Sequence, residues 1–402
     1  MRANAAWPSE ARLLLDCARL ELNEGERARI EAALAAAIDW PLVLRLAHRH
    51  GLRPLLHRHL GALDAGRVPR AVIVELWGEA ASIAQRNAVL ARELGRIARL
   101  LESHGIRVVP YKGPTLALAA YADLSMREFG DLDLLLARED VPRARDLLCD
   151  CGYVPEYPLA PGIEAALLES RLQYHLVVRS RAQGHPVELH WKTDPDFPVE
   201  RLDDAAWWDG MGHVTVQGEA LRTLAPEELL LVLCLHGAKH RWESLGWLVD
   251  VAELLRRGGA LDWDRIARRA RELDCPRRAG LGLHLANALL DAPLPSGAES
   301  LAGARGIEAL GQRLLRGLFD DAMQASHPLA DLRSNLVLFD RAGQGIRHAA
   351  RVAASPSLVE WTRWPLPTAL FFLYPPMRLG RLAGKHLRRC TTAVLRRAKL
   401  HP

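Results

Sequence analysis

No stretch of the 402 residues holds about twenty consecutive apolar positions, which excludes a conventional transmembrane helix. The opening residues, Met1-Arg-Ala-Asn-Ala-Ala-Trp-Pro-Ser-Glu10, lack the apolar centre and small-residue cleavage site of a secretory leader. Cysteine is scarce: there are six, and the one close pair, Cys149-Asp-Cys151, has neither zinc-site nor thioredoxin-type spacing. No disulfide framework is implied, so a reducing cytoplasmic setting is the expectation. Internal repeats and low-complexity tracts are absent too. Acid is missing from one region in particular. From Met377 to Pro402 there are eight Lys/Arg and no Asp or Glu, directly after the apolar stretch Trp361 to Tyr374. A solvated helix face, a nucleic-acid contact, or a peripheral contact with the inner face of an anionic membrane are the readings this run allows.

What is present is an ordinary globular balance, 49% hydrophobic and 25% charged, with a formal net charge of +5. Residues from about Ser9 to Ser103 carry apolar positions at helical spacing, and a long helix is predicted from Arg70 to His104, closed by Gly105. The pattern then shortens. Ile106–Tyr111 and Asp131–Leu136 read as strands, with a short helix at Thr115–Tyr121 between them. Val141–Cys151 follows as a helix with proline near its start and Gly152 past its end. Tyr174–Ser180 and Val187–Trp191 form a predicted hairpin through Gln183-Gly-His-Pro. Helical periodicity resumes over Glu227–Arg257 and Trp263–Leu290, broken at Gly258-Gly259, and Leu294–Gly303 reads as a loop. The expected fold class is α+β: a small mixed sheet with helices, flanked by helical regions. The predicted division is 1–104 helical, 105–222 α/β core, 223–350 helical and 351–402 basic tail.

Asp131 and Asp133 lie one residue apart in an otherwise apolar strand, so both project from one face while Leu132 and Leu134 face the other. Two unpaired carboxylates in a half-buried strand are costly, and a divalent cation bound by both relieves the repulsion. Phosphoryl or nucleotidyl transfer needs about three carboxylates on adjacent strands to hold two such ions. Glu188, sharing its strand face with His190, is the third candidate. Lys112-Gly113 sits at a strand-to-helix turn, where backbone N–H groups and a lysine can approach a phosphate.

Together, Lys112-Gly113, Tyr121, Arg127, Gly130-Asp-Leu-Asp-Leu-Leu135, Glu188-Leu-His-Trp191 and the block Leu233 to Asp250 resemble the polymerase-β-like nucleotidyltransferase superfamily. More narrowly, they are similar to a bacterial branch of nucleotidyltransferases of undefined role. The resemblance spans roughly Ile106 to Leu255. It implies a polymerase-β-like core in which Asp131, Asp133 and Glu188 are the metal ligands and the catalytic carboxylates, with Glu188 also able to deprotonate the acceptor hydroxyl. It implies two Mg²⁺ ions, with Mn²⁺ as a substitute, and an NTP such as ATP as donor. Gly113 would be the glycine of the first turn. Pro114 departs from the pattern, standing where the superfamily usually has a phosphate-binding serine, and the Gly113-to-Asp131 spacing is longer than in the polymerases. Thr115 and Arg127 are then the residues left to meet the triphosphate with Lys112, although Arg127 could instead pair with Asp123 or Glu128.

On a helix, His236, Lys239 and His240 share one face. They form either a phosphate-binding stripe or a solvated face, and His236 with His240 also has two-histidine metal spacing, with Gly237 where a zinc-protease helix has its glutamate. Asp250 could orient one of the basic residues, and His190 could tune Glu188, bind phosphate or be structural. The acceptor, whether small molecule, sugar, peptide, protein or RNA, has no recognisable code. A catalytically inactive binding or scaffolding protein of the same fold is the alternative, motivated by Pro114.

Overall fold

The computed structural model describes residues 7–63, 66–170, 172–194, 208, 210–257, 259, 261–319 and 336–384. Gly258 of the predicted break and the basic run beyond residue 384 lie outside these. The amino-terminal region is helical: α1 Ser9–Cys17, α2 Glu24–Leu34, α3 Trp40–His50, α4 Arg53–Leu63 and the 34-residue α5 Arg70–Ser103. Local signals set their ends. Asn23 and Glu26 form a reciprocal capping box that starts α2, and Asp39 caps α3 by accepting from the Leu42 N–H at 3.0 Å. Gly51 and Gly105, at φ of +68° and +73°, take the left-handed positions after α3 and α5.

Five strands form one sheet in the order β1-β2-β5-β4-β3: β1 Val109–Pro110, β2 Leu132–Leu135, β3 Tyr153–Pro155, β4 His175–Ser180 and β5 Pro186–His190. A four-residue helix, α6 Gly113–Leu116, continues as a π-helical turn through Tyr121 between β1 and β2, and α7 Val141–Asp150 and α8 Pro161–Leu168 follow β2. Among the described strands only β2 and β5 run parallel, and the predicted β4–β5 hairpin is present. The expectation of an α+β fold, a small mixed sheet between helical flanks, is met. Strand β3 and a second hairpin, β6 Gly212–Val216 with β7 Glu219–Thr223, were not legible in the sequence.

The carboxy-terminal helices α9 Pro226–Lys239, α10 Leu245–Arg257, α11 Trp263–Glu272, α12 Pro276–Leu290, α13 Ser296–Ala302 and α14 Ile307–Leu315 pack into the same apolar core as α1 to α4. Polar contacts seam the two regions together. The Leu245 N–H donates to His50 Nδ1 at 3.1 Å, and the Leu20 N–H to Glu253 Oε1 at 3.2 Å. A second core lies between the sheet, the last half of α5 and α7.

Three expectations need correction. The helical stretch 227–257 is broken after Lys239, because Arg241 and Trp242 take left-handed backbone (φ +54° and +56°) and the indole folds back onto Gly237, where any Cβ would collide with it. The predicted loop 294–303 contains α13. Its glycine serves close packing rather than a turn, since a Cβ on Gly297 would lie 2.5 Å from Trp263 Cβ. The stretch Trp361–Tyr374 is not wholly available to a membrane. Trp361 and Tyr374 are 2% and 1% exposed and belong to the sheet core, which also holds part of α16 Leu358–Arg363; α15 Ala342–Ala354 precedes it.

Candidate active site

The register of the one parallel strand pair builds the site. Asp133 on β2 stands opposite Glu188 on β5, and His190 on β5 stands opposite His175 on β4. Alternation then sends Asp133, Glu188, His190 and His175 to one face of the sheet, while Leu132, Leu134, Val187 and Leu189 fill the core on the other. Asp131 sits one residue before β2 and is half-buried; Asp133 is buried.

Cations close over the acids. Lys112 Nζ donates to Asp133 Oδ1 at 3.2 Å, and His190 Nε2 lies 3.2 Å from the same oxygen and 3.0 Å from Glu188 Oε2. His190 Nδ1 faces the Lys192 carbonyl at 3.3 Å, so both ring nitrogens meet acceptors. Burial alone would lower the His190 pKa, but its hydrogen bonds to Asp133 and Glu188 outweigh that and raise it. Burial would likewise lower Lys112, and the charges of Asp133, Asp131 and Glu188 reverse the direction. Asp133 is held well below the usual carboxylate range, the effect of burial being overcome by Lys112 and His190. Glu188 is lowered too, against its own burial, chiefly by the His190 hydrogen bond. Asp131 has no such partner. Burial, then Asp133 and Glu188, push its pKa up to about 6. This carboxylate most needs an added positive charge.

The turn that delivers Lys112 requires glycine. Gly113 has φ +53°, and a Cβ there would stand 3.1 Å from the Asp131 carbonyl oxygen. Thr115 is buried and its hydroxyl donates to the Lys112 carbonyl at 2.8 Å, so it braces the turn instead of facing the acids. Arg127 pairs with neither Asp123 nor Glu128. It grips Asp250 of α10 through Nε and Nη2 at 2.8 and 3.0 Å, and the Tyr121 hydroxyl donates to the same carboxylate at 2.8 Å. Arg127 still contributes favourable charge to Asp131 from this position.

Sequence reasoning missed how the loop before Asp131 is fixed. Asn87 of α5, fully buried, donates to the carbonyls of Leu124 and Arg127 at 2.7 and 2.8 Å. Arg53 donates to Glu128 from both backbone and guanidinium. A lone asparagine in a long amphipathic helix was the available signal for the first.

The His236–Lys239–His240 face of α9 does look onto this site. His236 and His240 rings lie 4.8 Å apart, each about 5 Å from Trp247 of α10 (5.2 and 5.1 Å). Burial, then the positive charge of Lys112, keep His236 neutral, well below its ordinary pKa. Lys239 donates to the Tyr174 hydroxyl and lies 4.1 Å from that ring's centroid. Tyr174 in turn lies against His175 and His190.

The donor chemistry of the acids fits a hard divalent cation: carboxylate oxygens predominate, and at Asp131 the nearby charges of Lys112 and Arg127 do not offset burial and the neighbouring acids. Among the described residues, His175, Glu188 and His190 offer ligand atoms all within 4.8 Å of one another. That group shares Glu188 with the expected carboxylate trio and adds nitrogen donors that sequence reading had not assigned to metal. His175 is pushed down to about 4 by burial and by His190, so its ring is neutral and able to ligate.

The sequence profile of a family described as uncharacterised nucleotidyltransferase matches residues 36–291. An antigenic nucleotidyltransferase-like protein from Paracoccidioides brasiliensis is 16% identical, with 54% of this chain and 95% of that chain covered, at a TM-score of 0.33. The sequence matches none of the curated proteins. Since the family profile spans well over half of the residues, the chain belongs to the uncharacterised nucleotidyltransferase family.

Proposed function

We propose that the protein transfers a nucleoside monophosphate from an NTP to an acceptor hydroxyl, releasing pyrophosphate. The observation that carries this is the Asp133–Glu188 register on one sheet face, with Asp131 beside it and Lys112 over it. Asp131, Asp133 and Glu188 would hold Mg²⁺ or Mn²⁺, and the bound cation supplies charge neutralisation for the triphosphate and the attacking oxygen. Lys112 exchanges its Asp133 partner for a phosphate oxygen. His190 keeps Asp133 and Glu188 oriented through its two short contacts. Glu188, the carboxylate on the central strand with one oxygen free of His190, takes the acceptor's proton. The face of His236, Lys239 and His240, with Trp247 beside it, receives the rest of the nucleotide by charge and stacking.

The test is label transfer from α-phosphate-labelled NTPs in Mg²⁺ or Mn²⁺, with small molecules, sugars, peptides, proteins and RNA offered as acceptors. Asp131→Ala/Asp133→Ala should abolish transfer. Glu188→Gln should lower the rate by about 10²–10⁴ while nucleotide binding persists. No NTP binding in Mg²⁺, with no change on Asp131→Ala, would overturn the assignment. A second reading, binding without turnover, is favoured by Pro114 and by Thr115 spending its hydroxyl on the Lys112 carbonyl. It predicts nucleotide binding with no pyrophosphate release under any acceptor.

A further inference from the structure

The sequence after Asp340 carries twelve Lys/Arg and a single acid, Glu360. That acid is fully buried and paired with Arg378 and Arg381, so two of the twelve cations are spent on it. The same segment is unusually apolar outside. Of the eleven large hydrophobic residues exposed among the described residues, seven fall between Ile346 and Leu379. Trp364, Leu370, Phe372 (68% exposed), Leu373 and Leu379 are the main ones beyond α16.

These side chains stand on a fixed base. Trp361 and Tyr374 are sunk in the sheet core, and the Tyr374 hydroxyl accepts from the Leu366 N–H at 2.9 Å and donates to the Trp364 carbonyl at 3.0 Å. The 3₁₀ turn Thr368–Leu373 therefore rises from an anchored loop, with no buried residue of its own. Leu370 and Leu373 are three apart and share a face. Arg363 lies 5.4 Å from the Trp364 ring centroid, placing a cation beside the apolar row.

We infer that this surface docks on an anionic bilayer, the row Trp364, Leu370, Phe372 and Leu373 entering the headgroup–acyl boundary while Arg363 beside it meets lipid phosphates. Charge complementarity selects the occupant. A polyanion such as RNA would repay the basic charge but not the burial of Leu370, Phe372 and Leu373, and an apolar protein groove would repay the row but not the segment's excess of positive charge. A lipid interface repays both. No described helix is long and apolar enough to cross a membrane, so the contact is peripheral.

The experiment is flotation of the full-length protein with vesicles of phosphatidylcholine alone or mixed with phosphatidylglycerol. Binding should need the anionic lipid, weaken between roughly 0.1 and 0.5 M NaCl, and fall about tenfold for Phe372→Ser/Leu373→Ser. Both positions are exposed, and an unchanged thermal midpoint confirms that the variant is folded. Equal flotation of variant and wild type, or equal binding to phosphatidylcholine alone, would overturn the inference. So would binding to single-stranded RNA that the double variant leaves intact and that accounts for all vesicle release. Label transfer in solution by a Phe372→Ser/Leu373→Ser protein separates this contact from the chemistry of the sheet face.

Discussion

Asp250→Ala should be among the most damaging single changes outside the acids themselves. Asp250 is 3% exposed and accepts two hydrogen bonds from Arg127 and one from Tyr121. Removing it leaves a guanidinium, 13% exposed, without its direct ion pair and a buried phenol without its acceptor. Breaking one side of a buried ion pair costs about 3–5 kcal/mol, and the orphaned hydroxyl adds about 1 kcal/mol. The thermal midpoint should fall by about 5–10 °C. The loss has a functional echo, because Arg127 closes the loop that ends at Asp131; the Mg²⁺-induced rise in midpoint should shrink in the same variant. The discriminating control is Arg127→Met/Asp250→Leu, which removes both charges and keeps the volume. It should recover most of the stability, ending within about 1–2 kcal/mol of wild type. Urea denaturation followed by circular dichroism measures all three proteins. An Asp250→Ala cost below about 1 kcal/mol, or a double variant no better than the single, would refute the claim that this pair pins the loop.

Two further expectations rest on the same geometry. Asp131 has a folded pKa raised from 3.8 to about 6, so the folded state prefers the proton and the ionised group opposes folding. In EDTA at pH 7, Asp131→Asn should therefore be more stable than wild type by about 1–3 kcal/mol. The advantage should fade as pH falls from 6 to below 3.8, and Mg²⁺ should stabilise wild type but not the variant; a gap independent of pH would defeat the assignment. Gly113→Ala must accept a left-handed backbone and a Cβ 3.1 Å from the Asp131 carbonyl. It should cost about 1–2 kcal/mol by the backbone term alone and weaken NTP binding, whereas an unchanged midpoint in differential scanning calorimetry would show that the turn relaxes freely.

The sequence by itself determined the carboxylate motif and its setting. Alternation along β5 is a property of extended backbone, so the shared face of Glu188 with His190 was readable before any fold was known, whereas Asp131 falls one residue before β2. Helix ends at Gly105 and Gly152 were readable for the same local reason, as was the α+β class. Tertiary structure decided everything that depends on which distant elements meet. Asp133 stands opposite Glu188 because β2 and β5 pair in parallel across more than fifty intervening residues. His175 joins the site because β4 pairs on the other edge of β5. Arg127 was assigned to phosphate from its place in the motif, yet its guanidinium is held by Asp250 on a helix more than a hundred residues later. The break after Lys239 and the helix over Ser296–Ala302 escaped notice because Gly237 accommodates the indole of Trp242 folding back and Gly297 that of Trp263 from a distant helix, a use of glycine that no periodicity records. The carboxy-terminal segment divides in the same way. Its charge and apolar content are written in the sequence, whereas packing against the sheet decided that Trp361 and Tyr374 turn inward and Phe372 and Leu373 face out.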